Sequence, residues 1–194
     1  KELRYLITPA NALYSTGRVL VADAKGAAKP RQAIGEDAKL VAPANAGSTR
    51  PRLVVLVVGE TARAANWGLN GYARQTTPQL AQWPGLINFP VVDACGTNTE
   101  TSLPCMFAPV GRRDYDEDRI RGSDSLLHVL ARAGVGVHWR DNQSGCKGVC
   151  AGLSQETVAA APVAGLCDGG RCLDEALLAT LPQRLAAAQG TQLL

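Results

Sequence analysis

Apolar residues change their spacing at Leu53. From there LVVLVV runs without interruption, a β-branched stretch of the kind buried on both faces of a parallel sheet. It stops at Gly59 and a carboxylate, Glu60. Leu86–Val92 is predicted as a second extended stretch. SDSLLHVLARAG, Ser123 to Gly134, offers a serine cap, an apolar stripe at Leu126, Leu127 and Leu130, and a glycine stop; it predicts a helix. VGVHW follows as a third strand. Leu173 to Gln189 predicts a second helix, which Pro182 permits only near a break or kink. The closing TQLL reads as the opening of a further strand, one that would leave an unpaired sheet edge. Strands alternating with helices predict an α/β domain, a mostly parallel sheet flanked by helices. Ligands of such sheets bind beyond the carboxyl ends of the strands, which is where Glu60 falls.

Ahead of Leu53 the pattern is weaker. Leu6, Ala10, Leu13, Tyr14 and Val19 recur at a roughly helical period, with Thr8 as a cap and Pro9 in the first turn. Residues 1–24 are therefore expected to be helical. They pack on the domain or, with Lys1, Arg4 and Arg18 flanking apolar positions, lie beside a membrane surface. Residues 25–51, rich in Ala, Gly, Pro and Lys, read as a linker.

Composition narrows the class. A chain of 194 residues, 46% hydrophobic and 19% charged, can bury one core. A net charge of +3 is too small to argue for nucleic acid. No apolar run is long enough to span a bilayer, and the start lacks a signal-peptide pattern; a mature or excised soluble piece is expected. The six cysteines fall in close pairs: Cys95 with Cys105, Cys146 with Cys150, Cys167 with Cys172. Local pairing closes short loops, and no pair has the CxxC spacing of a zinc knuckle. Disulfides are expected over metal binding or free thiols, and they imply an oxidising compartment.

Two segments carry candidate chemistry. Glu60 is either a cap of the turn that follows or a hard oxygen ligand for a divalent metal. In CGTNTETSLPC, the hydroxyls of Thr97, Thr99, Thr101 and Ser102 either serve the turn and helix cap or supply a nucleophile. A threonine hydroxyl attacks well only when a base or metal activates it. A helix N-terminus offers N–H groups to an anion, and a Cys95–Cys105 bridge would hold the loop in place.

VVGETARAANWGLNGYARQTTPQL, CGTNTETSLPCMF and HWRDNQSGCKGVC together resemble the catalytic domain of lipid A phosphoethanolamine transferases. That family includes the mobile colistin-resistance (polymyxin-resistance) enzymes and lies in the alkaline phosphatase and sulfatase superfamily. The resemblance implies an alkaline phosphatase/sulfatase-like fold, with residues 52–194 as the N-terminal part of a catalytic domain that is truncated here. It implies Thr99 as nucleophile and zinc ligand, Glu60 as zinc ligand, and Thr97, Lys147 and Gln143 as substrate-binding residues. It implies disulfides at all three cysteine pairs. The implied reaction takes phosphoethanolamine from phosphatidylethanolamine onto Thr99 and then onto a lipid A phosphate. The implied setting is the periplasm, on an inner-membrane-anchored protein that works at a membrane surface as a monomer.

The sequence departs from the family where the zinc site is completed. The later SDHGES-like motif and the further family histidines do not occur within residues 1–194. The only histidines, His128 and His138, read as packing residues of a helix and a strand. Three readings stay open: a zinc-dependent phosphoethanolamine transferase, a phosphoglycerol transferase or sulfatase-like hydrolase, and a fragment without tight zinc. Sulfatases convert a cysteine or serine to formylglycine, and Thr99 argues against that branch.

Overall fold

The computed structural model describes residues 12–17, 19, 30–41 and 52–194. Within them a four-stranded sheet forms from β1 (Leu53–Val54), β2 (Gly136–Asp141), β3 (Ser154–Thr157) and β6 (Gln192–Leu193). Its order is β1-β6-β2-β3 and every pair is parallel. A separate antiparallel hairpin pairs β4 (Cys167–Asp168) with β5 (Arg171–Cys172). Gly169 and Gly170 both take positive φ in its two-residue turn, the twist such hairpins need. Within residues 52–194 the α-helices are α1 (Pro78–Ala81), α2 (Thr99–Met106), α3 (Glu117–Gly122), α4 (Leu126–Arg132) and α5 (Leu181–Ala187).

The core lies between α2, α4, β2 and the loop after β2. Leu103 and Phe107, one helical turn apart, meet Leu127, Cys146, Val149 and Cys150. Val137 and Trp139, alternate residues of β2, pack on the same cluster. The Phe107 and Trp139 rings meet edge to face at 6.1 Å. A smaller cluster joins Cys105 of α2 to Ile120 of α3 and Val110.

The opposite face of β2 is charged. His138 and Arg140 stand across from Ser154 and Glu156 of β3. Arg184 of α5 reaches the Glu156 carboxylate at 2.8 Å, and Arg140 donates to Thr180 just before that helix. So α5 covers the sheet through ions rather than through an apolar stripe.

Several sequence expectations need correction. Only Leu53–Val54 of the run forms a strand, although Leu56 N still donates to Leu194 O at 2.8 Å, and the whole run Leu53–Val58 is exposed, from 37% to 83%. The described residues place no helix over it. Leu86–Val92 forms no strand; its backbone finds no partner strand, and side chains such as Ile87 and Phe89 stay exposed. The expected serine cap of α4 is present and is Ser125: its Oγ accepts from Leu127 N and donates to the carbonyl of Val149. Within the expected stripe Leu126 is exposed, whereas Leu127 is buried. The expected helix over 173–189 is divided into a 3-10 turn, Asp174–Leu178, and α5, with Pro182 in the first turn where it breaks no hydrogen bond. TQLL does form a strand, but β6 pairs on both sides, with β1 and with β2, so it is no open edge.

The helix expected over 1–24 lies largely outside the described residues; residues 12–17 are helical and exposed. Residues 30–41 are irregular but held. Gln32 exchanges backbone hydrogen bonds with Gly122 and Asp124, and Arg132 donates to the carbonyl of Ile34. Among the described residues no helix is long and apolar enough to cross a membrane.

Candidate active site

Because the sheet is parallel, the chain segments after β1 and after β2 leave at the same edge. The first carries Glu60 and the second carries Lys147. Glu60 follows the extended end of β1, and Thr61 beside it has φ 53°. A β-branched residue in the left-handed region is a strained arrangement of the sort found at functional sites.

The nucleophile candidate sits at the start of α2. Asn98 caps the helix, its side chain accepting from Thr101 N at 2.9 Å. Gly96 makes the approach possible, since a Cβ there would lie 2.7 Å from Thr101 Cγ2. Cys95 is bridged to Cys105 of the same helix, so the loop and helix move as one body. Thr99 Oγ1 donates a hydrogen bond to Glu60 Oε2 at 2.8 Å. Two residues 39 positions apart are thus brought into direct contact.

Lys147 arrives from the loop after β2. Asp141, buried at the strand end, accepts from Gly145 N at 2.9 Å and turns the chain, and the Cys146–Cys150 bridge closes the next turn. Lys147 itself has φ 49°, the only other described non-glycine residue at positive φ besides Thr61. Its ammonium donates to the carbonyl of Ser144 at 3.1 Å and pairs with Glu100 Oε1 at 2.8 Å. Glu100 follows Thr99 directly. Pro104 has no N–H to offer the carbonyl four residues back. That carbonyl, of Glu100, instead accepts from Arg121 Nη2 of α3 at 3.1 Å. Glu100 and Arg121 were not singled out in the sequence; the proline four residues after Glu100 was the available signal.

Two candidates remain. Thr97 is exposed before the cap. Gln143 lines a separate cavity of about 390 Å³ with Asn142, Thr157, Arg171 and Asp174, away from Thr99 and Glu60. Asn142 holds that cavity's wall, donating to Cys172 O and Asp174 Oδ1. The third bridge, Cys167–Cys172, joins directly opposed residues of the β4–β5 hairpin.

Both histidines serve the fold. His128 Nδ1 accepts from Ser125 N at 3.0 Å and closes a capping box, which leaves Nε2 to donate to Ala151 O at 2.8 Å. His138 Nδ1 lies 2.7 Å from Ser154 Oγ. Burial and the Arg184 charge hold the His138 imidazole below its usual value, against the pull of Glu156. Burial pushes the Glu156 carboxyl up, but Arg140, Arg184 and His138 together hold it below its usual range. Among the described residues no group of three His, Cys, Asp or Glu could hold a metal, so Glu60 and Thr99 stand as two oxygen donors.

The sulfatase family model matches residues 52–194. The chain belongs to the sulfatase family. It is 45% identical to the phosphatidylethanolamine transferase Mcr-2 of Escherichia coli over 149 residues, 77% of this chain and 28% of that protein. Among solved structures, the integral membrane lipooligosaccharide phosphoethanolamine transferase A of Neisseria meningitidis is 44% identical with a TM-score of 0.85. That match covers 98% of this chain and 35% of that one. The crystallised soluble domain of the same transferase is 46% identical with a TM-score of 0.78, covering 85% of this chain and 49% of that one. The chain therefore spans about a third of the length of the full-length relatives it matches. Within the sulfatase family its relatives are phosphoethanolamine transferases, and the parallel sheet with helices is the fold of their soluble domain.

Proposed function

We propose that this chain carries the nucleophile side of a phosphoethanolamine transferase active site, moving the group from phosphatidylethanolamine to a lipid A phosphate. The observation that carries the reading is the Thr99–Glu60 hydrogen bond at the carboxyl edge of the sheet. The likeness to named phosphoethanolamine transferases and the three bridges support the substrate class and a periplasmic setting.

The cofactor in this reading is zinc. A carboxylate and a hydroxyl in contact suit part of a zinc site, and the described residues hold no third donor. When bound, zinc would lower the pKa of a coordinated hydroxyl and stabilise charge on phosphoryl oxygens. Thr99 directs its proton at Glu60, which leaves the Oγ1 lone pairs for phosphorus. In the first step a bond forms from Thr99 Oγ1 to phosphorus and the phosphorus–oxygen bond to glycerol breaks. Diacylglycerol leaves with the proton. In the second step a lipid A phosphate oxygen attacks the same phosphorus, the bond from phosphorus to Thr99 Oγ1 breaks, and the proton of the attacking phosphate hydroxyl passes to Oγ1, which restores the Thr99 hydroxyl. The frame of α2, Cys95–Cys105 and the Asn98 cap keeps Thr99 in one orientation, which is where positioning contributes to rate.

The test is transfer by the intact protein carrying Thr99→Ala. Loss of labelled phosphoethanolamine on lipid A, with an unchanged melting temperature, is expected. Full transfer by that variant would overturn the nucleophile assignment.

A further inference from the structure

Resting on the phosphoethanolamine reading, in which Lys147 already meets the substrate, we propose that its ion-pair partner Glu100 is the specificity element for the zwitterionic headgroup. Lys147 takes the phosphate and Glu100 takes the ammonium.

A carboxylate directly after the attacking hydroxyl is at first sight an obstacle. It repels the phosphate that Thr99 must meet. In the structure its charge is engaged by Lys147 Nζ at 2.8 Å, with Arg121 Nη2 at 3.9 Å from its other oxygen. The Lys147 side chain is largely enclosed, 15% exposed, and is braced from behind by the Ser144 carbonyl. Glu100 is the open partner, 57% exposed. Its backbone is fixed by the Arg121 hydrogen bond to its carbonyl, so its carboxylate can swing while its Cα stays in place.

Phosphoethanolamine carries one anionic and one cationic end on a short link. The Lys147–Glu100 pair carries the opposite signs on adjacent groups. When the phosphate takes the Lys147 ammonium as a point charge, the freed carboxylate meets the ethanolamine ammonium. Two ion pairs are exchanged for two others, and no charge is left alone. The pair is open to solvent on the Glu100 side, where water screens the attraction, and the exchange gives Lys147 a new anion in place of the carboxylate. A phosphate without an amine also occupies Lys147 but leaves Glu100 facing an anion. The same carboxylate that favours the amine-bearing donor thus acts against the others.

The test is binding without turnover. Phosphoethanolamine and ethyl phosphate, which share the phosphate and differ in the amine, are titrated into the protein and followed by calorimetry or NMR shifts. The wild type is expected to prefer phosphoethanolamine by about tenfold, the factor that about 1.4 kcal/mol represents. Glu100→Gln should remove the preference, mainly by loss of phosphoethanolamine affinity, and Glu100→Asp should restore part of it. Lys147→Met should weaken both ligands. Equal affinities in the wild type, a preference that survives Glu100→Gln, or no binding of either probe overturns the proposal. The transfer assay on Thr99→Ala is separate. If that variant keeps activity while the amine preference vanishes in Glu100→Gln, the nucleophile falls and the recognition pair stands. The reverse pattern removes only the recognition pair.

Discussion

Arg121 Nη2 donates to the main-chain carbonyl of Glu100 at 3.1 Å, and that carbonyl is the one Pro104 leaves without a helical donor. The arginine therefore repairs a gap that a proline makes in the helix bearing Thr99. It also pairs with Glu117 of its own helix at 3.0 Å, an i,i+4 contact that pre-sets its direction. Arg121→Ala is expected to cost about 1 kcal/mol in urea unfolding, the usual net worth of one hydrogen bond. In a Pro104→Ala background, where the helix can supply its own N–H, the same substitution should cost clearly less. Identical costs in the two backgrounds would show that the arginine does not compensate the proline.

How much of this was legible in the sequence depends on which interaction decided the outcome. The parallel α/β class and β2 follow from local apolar runs, and the structure has them. The Glu60–Thr99 pairing was visible as two motifs, and sheet geometry turns it into a contact. β3, with the sequence SQET, carries no apolar signal; its pairing with β2 is made by backbone and by charged partners on one face. Leu86–Val92 has the signal of a strand and is none, because a strand also needs a partner edge. Glu100 and Lys147 carry ordinary surface identities, and only the turn after β2 brings them together.

Glu60 presents two carboxylate oxygens and engages one with Thr99, so its role in metal binding can be separated from its role in holding the hydroxyl. Zinc added to residues 1–194 should be lost on dialysis, since the two donors found among the described residues fall short of the usual three or four. Zinc retained at one equivalent after dialysis would contradict the incomplete donor set. In the intact protein, Glu60→Gln should lower zinc content, measured by atomic emission, while circular dichroism stays unchanged.

The Cys95–Cys105 bridge ties the loop holding Thr97 and Asn98 to the last turn of the helix that Asn98 caps. It closes a loop of 10 residues' separation. On the chain-entropy account its loss costs about 2–3 kcal/mol. A Cys95→Ser, Cys105→Ser double variant should unfold at correspondingly lower denaturant and lose transfer activity more steeply than stability, because the loop positions the nucleophile. The same variant with unchanged activity at a temperature where it is folded would show that the bridge braces the fold alone. In the unmodified protein a thiol assay without reductant should find no reactive cysteine, as all are bridged.

The charged face beneath α5 predicts a pH dependence with a definite sign. His138 is flanked by Ser154, Glu156, Arg140 and Arg184. Its Nε2 is 3.6 Å from Glu156, too far for a hydrogen bond, so that attraction is electrostatic only. Burial and Arg184 win, and the folded protein holds the imidazole below the usual value of 6.5. The unfolded chain then binds the proton more readily, so stability is fully present above 6.5 and declines as pH falls through the folded value. Glu156, held below its usual 4.5, adds a second decline of the same sign at lower pH. Melting temperatures recorded between about pH 8 and 4 should therefore fall monotonically toward acid. His138→Gln, which cannot take up a proton, should flatten the first part of that fall and leave the Glu156 part. An unchanged slope below 6.5 in His138→Gln would assign the acid sensitivity to some other group.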